Sequence, residues 1–334
     1  MEVLIINQQE VTQLLPMNEC IEVMAETLAA LARGEGIQPL RPVMWLPERV
    51  GALGLMPGYL DNINAMGVKV ISVFPGNQGT KYDSHQGAVM LFETEHGRLL
   101  SLMDATEITA IRTAATTAVA TNLLANKEAN TLAILGSGVQ ARTHLEAMLL
   151  VRPLQHIRIW SRNPDHAAQF AQRESKRHNI AIETAANVTA AVHKADIVCA
   201  TTATHEPILT GAMLTSGMHI NAVGASVPFA RELDTAAVVK SRLFVDRRES
   251  ALNEAGDFLI PKNEGAIDDN HIIAEIGELL IDQHPGRTAA HEITLFKSLG
   301  LAVEDVASAH HIYQQALARG MGTSIELGGG RHDA

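Results

Sequence analysis

The chain is poor in cysteine and has no long uncharged apolar run, and each shortage excludes a class of protein. Two of its 334 residues are cysteines, Cys20 and Cys199, and both lie inside apolar segments. We interpret them as buried thiols and expect no disulfide framework. No uncharged apolar stretch reaches the roughly 18 residues of a membrane span. The N-terminal MEVLIINQQEV lacks the basic and long apolar regions of a signal peptide. These absences predict a soluble, cytoplasmic protein.

Positive charge is also in short supply. The 26 Lys and Arg residues are outnumbered by 37 Asp and Glu residues, which gives a formal net charge of −11. A surface this acidic disfavours nucleic acid or an anionic membrane as the main partner. Hydrophobic residues, in contrast, make up 46% of the chain, enough for one large core or two moderate ones.

The first third of the chain mixes helical and strand patterns. Residues 17–33 repeat apolar side chains at helical spacing, and the Ala/Thr-rich segment 105–125 predicts a long, tightly packed helix. Between them, 67–74 and 87–93 are short apolar or β-branched runs bounded by Gly or Pro, which predicts strands.

From residue 131 the pattern becomes a strict alternation of strand and helix lengths. Such alternation indicates βαβ units and a parallel sheet. We therefore predict a Rossmann-type, doubly wound parallel sheet domain over 121–297. Residues 1–120 and 298–334, which include a predicted helix over 303–319, form a second, discontinuous α/β domain. The Gly-rich end of the chain, 328–334, is expected to fray.

A glycine-rich turn opens the predicted parallel sheet domain. Gly136, Gly138 and Ala141 fit the dinucleotide fingerprint G-x-G-x-x-A. In that motif the glycines make the turn and let the backbone approach a pyrophosphate, while the following helix offers free N–H groups to phosphate. The motif alone is weak, because an ordinary βα turn can match it. Here it follows a predicted strand and opens a predicted helix, and we therefore predict a bound dinucleotide.

The end of the second strand of this domain bears on which dinucleotide is bound. A site for NAD usually carries Asp or Glu at this position to accept the ribose 2′-OH. This chain has Ser161, Arg162 and Asn163 instead. A small hydroxyl followed by Arg leaves room and positive charge for a 2′-phosphate. We predict that NADPH is preferred and NADH possible; the alternative is that Arg162 is a solvated residue at the start of a helix.

Several longer motifs resemble one family. They are IRTAATTAVAT (111–121), LGSGVQAR (135–142), INAVGASVPFAREL (220–233), FVDRRESALNEAGD (244–257) and SLGLAVEDVASA (298–309). Together they resemble the ornithine cyclodeaminase/μ-crystallin family over nearly the whole chain. The resemblance implies a Rossmann domain plus a discontinuous α/β domain that binds substrate and forms a homodimer. It also implies chemistry at the carbon–nitrogen bond of an α-amino or α-imino acid.

Three basic residues match the substrate motifs of that family. The resemblance implies that Arg41 and Arg112 bind the substrate carboxylate and that Lys69 lies beside the reacting carbon as the catalytic residue. An Arg presents a planar fork that suits a carboxylate. A Lys inside an apolar strand needs a partner and can have a lowered pKa. Taken singly, the three residues could instead be a surface residue, a helix-start residue and a strand-edge charge.

Two departures from the family pattern narrow the reaction. Cyclodeaminases carry a glutamate where this chain has Gly54, and an aspartate where it has Ser226, which we retain as a substrate-binding candidate. Cyclodeamination moves protons at the departing nitrogen and at the ring-closing amine, and neither Gly nor Ser supplies an acid or base at neutral pH. The GASVP segment resembles the μ-crystallin and imine-reductase branch instead.

The resemblance carries further residues over to the cofactor. Besides Arg112, the candidate cofactor residues are Ser84, His85, Thr113, Gly136, Ser137, Gly138, Val139, Gln140, Ser161, Arg162, Asn163, Thr201, Thr202, Val223, Gly224, Ala225 and Ser298. Ser84 and His85 are the weaker candidates, because His85 could equally be a hydrogen-bonded loop histidine. We expect no metal site, since His291 has no second His at the helical spacing of a zinc motif and His310 and His311 would point to different faces of a helix.

These residues predict an NAD(P)H-dependent reductase of an α-imino acid, either a cyclic ketimine or the imine of a 2-oxo acid. One alternative is ornithine cyclodeaminase. The other is a non-catalytic, NADPH-dependent protein that binds a small ligand, as the resemblance to μ-crystallin allows. Retention of Lys69 and both arginines favours catalysis.

Overall fold

A computed structural model describes residues 2–77 and 79–329 of the chain. Most of the predicted frayed tail therefore lies outside the described residues. The strands are β1 (Glu2–Ile6), β2 (Gly36–Ile37), β3 (Val43–Trp45), β4 (Ala52–Leu60), β5 (Ala65–Val73), β6 (His85–Glu93), β7 (Leu99–Asp104), β8 (Thr131–Leu135), β9 (His156–Trp160), β10 (Glu183–Thr184), β11 (Ile197–Ala200), β12 (His219–Ala222), β13 (Arg242–Val245), β14 (Ile272–Glu275), β15 (Thr294–Lys297) and β16 (Thr323–Glu326). The helices are α1 (Gln8–Leu14), α2 (Met17–Ala32), α3 (Ala105–Leu124), α4 (Val139–Val151), α5 (Pro164–His178), α6 (Val188–Val192), α7 (Thr235–Lys240), α8 (Arg248–Glu254), α9 (Gly256–Asn263), α10 (Ile276–Leu280) and α11 (Ala302–Arg319).

The chain divides into two compact units. The first consists of Met1–Arg112 and Leu301–Ala334, and the second is Thr113–Gly300. The domains inferred from the sequence, 1–120 with 298–334 and 121–297, stay a prediction.

Hydrogen bonds hold residues near both ends of the second unit. The hydroxyl of Thr121 accepts a hydrogen bond from Asn221 Nδ2 at 3.0 Å, which ties the second half of α3 to the second unit. At the other boundary, Asp246 Oδ2 accepts the backbone N–H groups of Leu299 at 2.6 Å and Gly300 at 2.7 Å. Neither contact is visible in a sequence pattern.

The first unit is built on a mixed sheet with strand order β16-β1-β7-β6-β5-β4-β2, and β3 pairs with β4. The β1–β7 pair is parallel and the others are antiparallel. Helix α11 packs on β4, β5 and β6, and α2 packs on α11 and β4. Helices therefore cover one face of this sheet, the face that receives every second side chain of β5, including Gly67, Lys69 and Ile71.

The second unit contains a sheet in which every pair is parallel. Its order is β10-β9-β8-β11-β12-β15-β13-β14. From β8 the chain adds β9 and β10 towards one edge of the sheet, and from β11 it adds the later strands towards the other edge. The direction in which strands are added therefore reverses between β8 and β11. In a doubly wound sheet this reversal opens a crevice at the carboxyl ends of the strands, where ligands bind. The predicted α/β fold class is confirmed.

The elements of the second unit surround a core of aliphatic side chains. Leu135, Val198, Ile220 and Val245 come from four different strands and belong to one buried cluster. Such continuous apolar strands are typical of a parallel sheet that is covered on both faces. None of the helices among the described residues combines the length and the apolar run that a bilayer crossing requires.

Candidate active site

Lys69 lies in the middle of β5, on the sheet face that the helices cover. Its register neighbours are Met56 in β4 and Val89 in β6, so it is flanked by strands on both sides. Only 1% of the side chain is exposed. The strand-edge alternative for Lys69 is therefore wrong, and the burial of this ammonium group requires partners.

A carboxylate and a hydroxyl meet the buried ammonium group. Lys69 Nζ lies 2.7 Å from Asp305 Oδ2 and donates a hydrogen bond of 3.3 Å to Thr109 Oγ1. Burial lowers the pKa of Lys69 from 10.5 to about 8, and the Arg112 guanidinium acts in the same direction, whereas Asp305 opposes the shift. A pKa near 8 lets this group both hold and release a proton close to neutral pH.

Arg112 joins the same group of charges from α3. Its Nε donates to Asp305 Oδ1 at 3.0 Å, and its Nη1 donates to Glu304 Oε2 at 2.9 Å. Lys69, Arg112, Glu304 and Asp305 are each at most 4% exposed, and we refer to them as the buried ionic cluster. Two carboxylates compensate two cations, and their hydrogen bonds fix the orientation of the guanidinium plane.

Glu304 and Asp305 are functional candidates that the sequence reasoning missed. They lie in the first turn of α11, where the flanking residues Val303 and Val306 are also buried. The signal was an adjacent pair of acids inside an otherwise apolar segment, AVEDVASA. Buried carboxylates are rare unless they are paired, so this pattern predicts a cationic partner even though it cannot say which one.

Two glycines allow α11 to approach the sheet closely enough for these contacts. Gly58 in β4 and Gly67 in β5 are register partners. A Cβ atom on Gly58 would lie 3.1 Å from the backbone of Ala302, and one on Gly67 would lie 3.2 Å from Val306 Cγ2. The notch that these glycines form places the start of α11 against the sheet face that carries Lys69.

The remaining predicted residues of the first unit lie at its strand ends and loops. Arg41 precedes β3 and is half-buried, and its charge contributes to the lowered pKa of Lys69. His85 begins β6, and its Nδ1 lies 2.9 Å from Ser84 Oγ. Desolvation, and to a smaller extent the Lys69 ammonium, lower the pKa of His85. Arg41 and His85 therefore share an electrostatic environment with Lys69.

The glycine-rich turn of the second unit follows β8. Gly136 has φ +111°, and a Cβ atom there would lie 2.7 Å from the carbonyl oxygen of Thr201, so glycine is required at this position. Gly138 is the N-cap of α4 and provides no side-chain cap for the helix. A Cβ atom on Gly138 would have no heavy atom within 4 Å. Val139 and Gln140 begin α4, and the N–H groups of a first helical turn have no partners within the helix.

The end of β9 brings the predicted ribose-recognition residues next to that turn. Ser137 Oγ donates a 3.0 Å hydrogen bond to Ser161 Oγ, which joins the turn to the strand end. Arg162 is exposed, and Asn163 caps α5 by accepting the N–H of Asp165 at 2.9 Å. The helix therefore begins after Asn163, which leaves Arg162 in the connection between strand and helix.

The other predicted cofactor residues lie mainly at the carboxyl ends of β11, β12 and β15. They are Thr201, Thr202, Val223, Gly224, Ala225 and Ser298. Thr201 Oγ1 donates to the carbonyl oxygen of Leu135 at 3.0 Å, beside the glycine-rich turn. Ser226 follows this group and is exposed, whereas Thr113 is buried in α3.

Known proteins resemble this chain over most of its length. Residues 1–320 match the model of the ornithine cyclodeaminase/mu-crystallin family. The chain belongs to this family. The match covers both units and includes the buried ionic cluster as well as the glycine-rich turn.

Three relatives illustrate the range of the family. The ketimine reductase mu-crystallin of Mus musculus is 39% identical over 280 residues, which cover 84% of this chain and 85% of the relative. The structure of the Thermococcus litoralis Delta(1)-pyrroline-2-carboxylate reductase in complex with NADH and L-proline superposes with a TM-score of 0.94 at 40% identity, covering 96% of this chain and 99% of that one. An archaeal alanine dehydrogenase dimer with bound NAD gives a TM-score of 0.92 at 30% identity, covering 98% and 100%.

Gly54, one of the two departures from the cyclodeaminase pattern, lies in the sheet of the first unit. Gly54 is buried in β4 and pairs with Ile71 of β5. A Cβ atom there would meet Ile71 Cγ2 at an ordinary 3.5 Å. This distance is ordinary for a Cβ atom, so close packing against Ile71 does not require glycine at this position.

Proposed function

We propose that this protein is an NAD(P)H-dependent reductase that converts an α-imino acid into the L-amino acid. The observation that carries the proposal is the buried ionic cluster, in which Asp305 holds an ammonium group of pKa about 8 at 2.7 Å. The relatives named as ketimine reductase and pyrroline-2-carboxylate reductase support the same reaction class. We also propose a cytoplasmic setting, which fits two free, buried thiols.

Two arginines and two buried acids of the first unit have proposed roles in substrate binding. Arg41 and Arg112 bind the substrate carboxylate and so fix which face of the imine is presented. Glu304 and Asp305 hold the Arg112 fork in one orientation, through bonds of 2.9 and 3.0 Å. A carboxylate that binds to a preoriented cation loses less entropy than one that must order it.

Lys69 has the proposed catalytic role. Its ammonium group hydrogen-bonds the substrate carboxylate or the imine nitrogen and supplies the proton that the nitrogen gains. A bound nicotinamide cofactor would supply the hydride for the imine carbon. One hydride and one proton convert C=N into CH–NH, so the proton count requires the donor that Lys69 provides. Thr109 and Asp305 keep this ammonium group in place.

The second unit fits a dinucleotide. The open space over Gly138 and the N–H donors at the start of α4, which has no side-chain cap, suit a pyrophosphate. Gly136, Ser137, Gly138, Val139 and Gln140 would hold the pyrophosphate. The residues that follow β11, β12 and β15 would lie beside the nicotinamide half of the dinucleotide; they are Thr201, Thr202, Val223, Gly224, Ala225 and Ser298.

We propose that NADPH is preferred to NADH. The support is the absence of an acidic residue at the end of β9, where Ser161 and the exposed Arg162 stand. Comparing kcat/KM for the two cofactors tests this preference. A strong preference for NADH would show that Arg162 does not bind a 2′-phosphate.

We further propose a homodimer formed through the outer apolar face of the first unit's sheet. This face comprises Ile37, Met44, Leu55, Pro57, Met66 and Phe92, and it includes a shallow pocket of about 420 Å³. Leu55 is 40% exposed and Ile37 is 63% exposed. A contiguous apolar face of this kind is typical of an interaction surface. The dimer of the archaeal alanine dehydrogenase supports a second copy as the occupant.

The substrate is tested with a panel of imino acids. The panel contains pyrroline-2-carboxylate, piperideine-2-carboxylate, iminosuccinate, and pyruvate with ammonia or methylamine, and the readout is NAD(P)H oxidation. We expect oxidation with at least one member, and the preferred member identifies the side chain that the site accepts. If the protein binds NADPH but oxidises it with no member, a ligand-binding role replaces the catalytic one.

A further inference from the structure

Glu232 is a buried acid in the second unit that bridges two strand ends. Its Oε1 accepts the N–H and the hydroxyl of Thr202, both at 2.7 Å, and its Oε2 accepts the N–H of Gly224 at 2.7 Å. Thr202 follows β11 and Gly224 follows β12, which are neighbours in the sheet. One carboxylate therefore fixes the distance between the backbones that leave these two strands.

Lys297 extends this arrangement to a third strand. It is the last residue of β15, and its Nζ donates to the carbonyl oxygens of Ala222 and Ala225. The same ammonium group lies 3.0 Å from Asp257 Oδ2. Asp257 Oδ1 in turn accepts the backbone N–H of Glu232 at 2.8 Å. We refer to Glu232, Asp257 and Lys297 as the strand-end network; each is at most 2% exposed.

Burying three charged side chains is costly, and core packing alone does not require it. Here most contacts link the carboxyl ends of β11, β12 and β15 or join members of the network, and Asp257 Oδ1 also accepts the backbone N–H of Leu233 at 3.0 Å. These strands lie on the β11 side of the point where the strand order reverses. In a doubly wound sheet each side of that point holds one mononucleotide half. Because the ribose-recognition residues lie on the other side, at the end of β9, the network supports the half that carries the nicotinamide.

We propose that the strand-end network positions the backbone around Thr202 and Gly224 for the nicotinamide half of the dinucleotide, with Glu232 as its central positioning residue. This inference rests on the proposed function, because it assumes that a dinucleotide is bound. It adds a residue with a specific role: Glu232 acts on the cofactor through the groups that it holds and not by touching it.

The hydrogen-bond pattern shows why a carboxylate is needed at this position. Three donors converge on its two oxygens, and donors face both of them. In Glu232→Gln one oxygen becomes an NH2 group, which must face either the N–H of Gly224 or the two donors of Thr202. At least one strand end therefore loses its anchor, whereas the volume of the side chain is unchanged.

The experiment compares two ligands on purified full-length protein by calorimetry. NADPH contacts both halves of the site, whereas 2′-phospho-ADP-ribose lacks the nicotinamide. We expect Glu232→Gln to raise the Kd for NADPH about tenfold or more, consistent with the loss of charge-assisted hydrogen bonds. The Kd for 2′-phospho-ADP-ribose should stay within about twofold, a change worth less than RT. Equal weakening of both ligands, or of neither, would overturn the inference.

A matched control separates positioning from general destabilisation. Glu174 is also a buried glutamate of this unit, but it lies in α5 and pairs with Arg173 at 2.6 Å. Glu174→Gln should leave the ratio of the two Kd values unchanged, even if it lowers the melting temperature. A shift in that ratio equal to the one in Glu232→Gln would also contradict the proposal.

A second pair of variants keeps the test valid if Glu232→Gln does not fold. Thr202→Val removes the hydroxyl that donates to Glu232, and Thr202→Ser retains it. We expect Thr202→Val to weaken NADPH binding selectively and Thr202→Ser to restore it. Equal affinities of these two variants for NADPH would overturn the inference. Failure of the wild-type protein to bind NADPH or NADH would instead reject the proposed function itself.

Discussion

Lys69 shows how a single residue acquires reactivity from its surroundings. Aqueous lysine is fully protonated at neutral pH, whereas burial in β5 lowers the pKa of this one to about 8. Asp305 opposes the shift, so the ammonium group persists at pH 7 in a place where water cannot stabilise it. The cluster therefore keeps a charged amine inside a protein core.

Removing this side chain tests its role. We expect Lys69→Ala to lower kcat by about a hundredfold or more, which is the usual contribution of a positioned proton donor. The dinucleotide residues of the second unit are unchanged, so NADPH affinity should be retained. Breaking a buried ion pair costs about 3–5 kcal/mol, and the thermal melt must therefore be recorded beside the kinetics. Wild-type turnover by a folded variant would contradict the role of Lys69.

The pH dependence gives a second test at the same residue. If the reaction needs the ammonium form, kcat/KM should fall as the pH rises through about 8, the pKa of Lys69. Asp305 raises this pKa, whereas Arg112 and Arg41 lower it. Asp305→Asn should therefore move the fall of kcat/KM at alkaline pH to a lower pH. If kcat/KM falls at the same pH in the wild type and in Asp305→Asn, the fall reports the titration of the substrate or of another group.

At the scale of elements, the two glycines of the turn after β8 have separable roles. Gly136→Ala would combine φ +111° with a contact of 2.7 Å to Thr201, and such backbone strain costs about 1–3 kcal/mol. Gly138→Ala meets no protein atom within 4 Å and keeps an ordinary φ of −85°. Its free energy of unfolding should change by less than about 0.5 kcal/mol.

Gly138→Ala should affect cofactor binding although it hardly affects stability. The added methyl group would occupy the open space over the turn, so Gly138→Ala should weaken NADPH binding while the fold is retained. Chemical denaturation and calorimetry measure the two quantities on the same sample. Unchanged NADPH affinity in Gly138→Ala would mean that the pyrophosphate does not bind over this turn.

The elements also show what a sequence pattern can predict. The helix over 17–33, the strands over 67–74 and 87–93 and the alternation after 131 correspond to α2, β5, β6 and the parallel sheet. These predictions succeed because periodicity reports which side chains face the core.

These patterns could not predict which side chains pair when they are far apart in the sequence. Glu304 and Asp305 are more than 190 positions from Arg112, and only the notch at Gly58 and Gly67 brings their helix onto the sheet. The insertion of β15 between β12 and β13 is likewise a matter of topology. The strand-end network depends on this topology, because Lys297 ends β15 and its Nζ donates to Ala222 at the end of β12.

At the scale of the whole molecule, the outer apolar face predicts the state of assembly. We expect a homodimer by analytical ultracentrifugation. Leu55→Glu places a charge on that face and should shift the protein towards monomer. Leu150→Glu is the matched control, because Leu150 is 53% exposed on α4 of the other unit. Monomeric wild-type protein, or a dimer that Leu55→Glu leaves intact, would contradict the proposed interface.

The central claim is the reduction of an α-imino acid, and one measurement tests it most directly. Wild-type protein is incubated with NADPH and pyrroline-2-carboxylate, and both NADPH loss and L-proline formation are followed. A parallel sample contains L-ornithine and NAD+. We predict one L-proline for each NADPH oxidised and no proline or ammonia from L-ornithine, because Gly54 and Ser226 replace the two acids of the cyclodeaminases. Proline and ammonia from L-ornithine, with no oxidation of NADPH by the imine, would contradict the account.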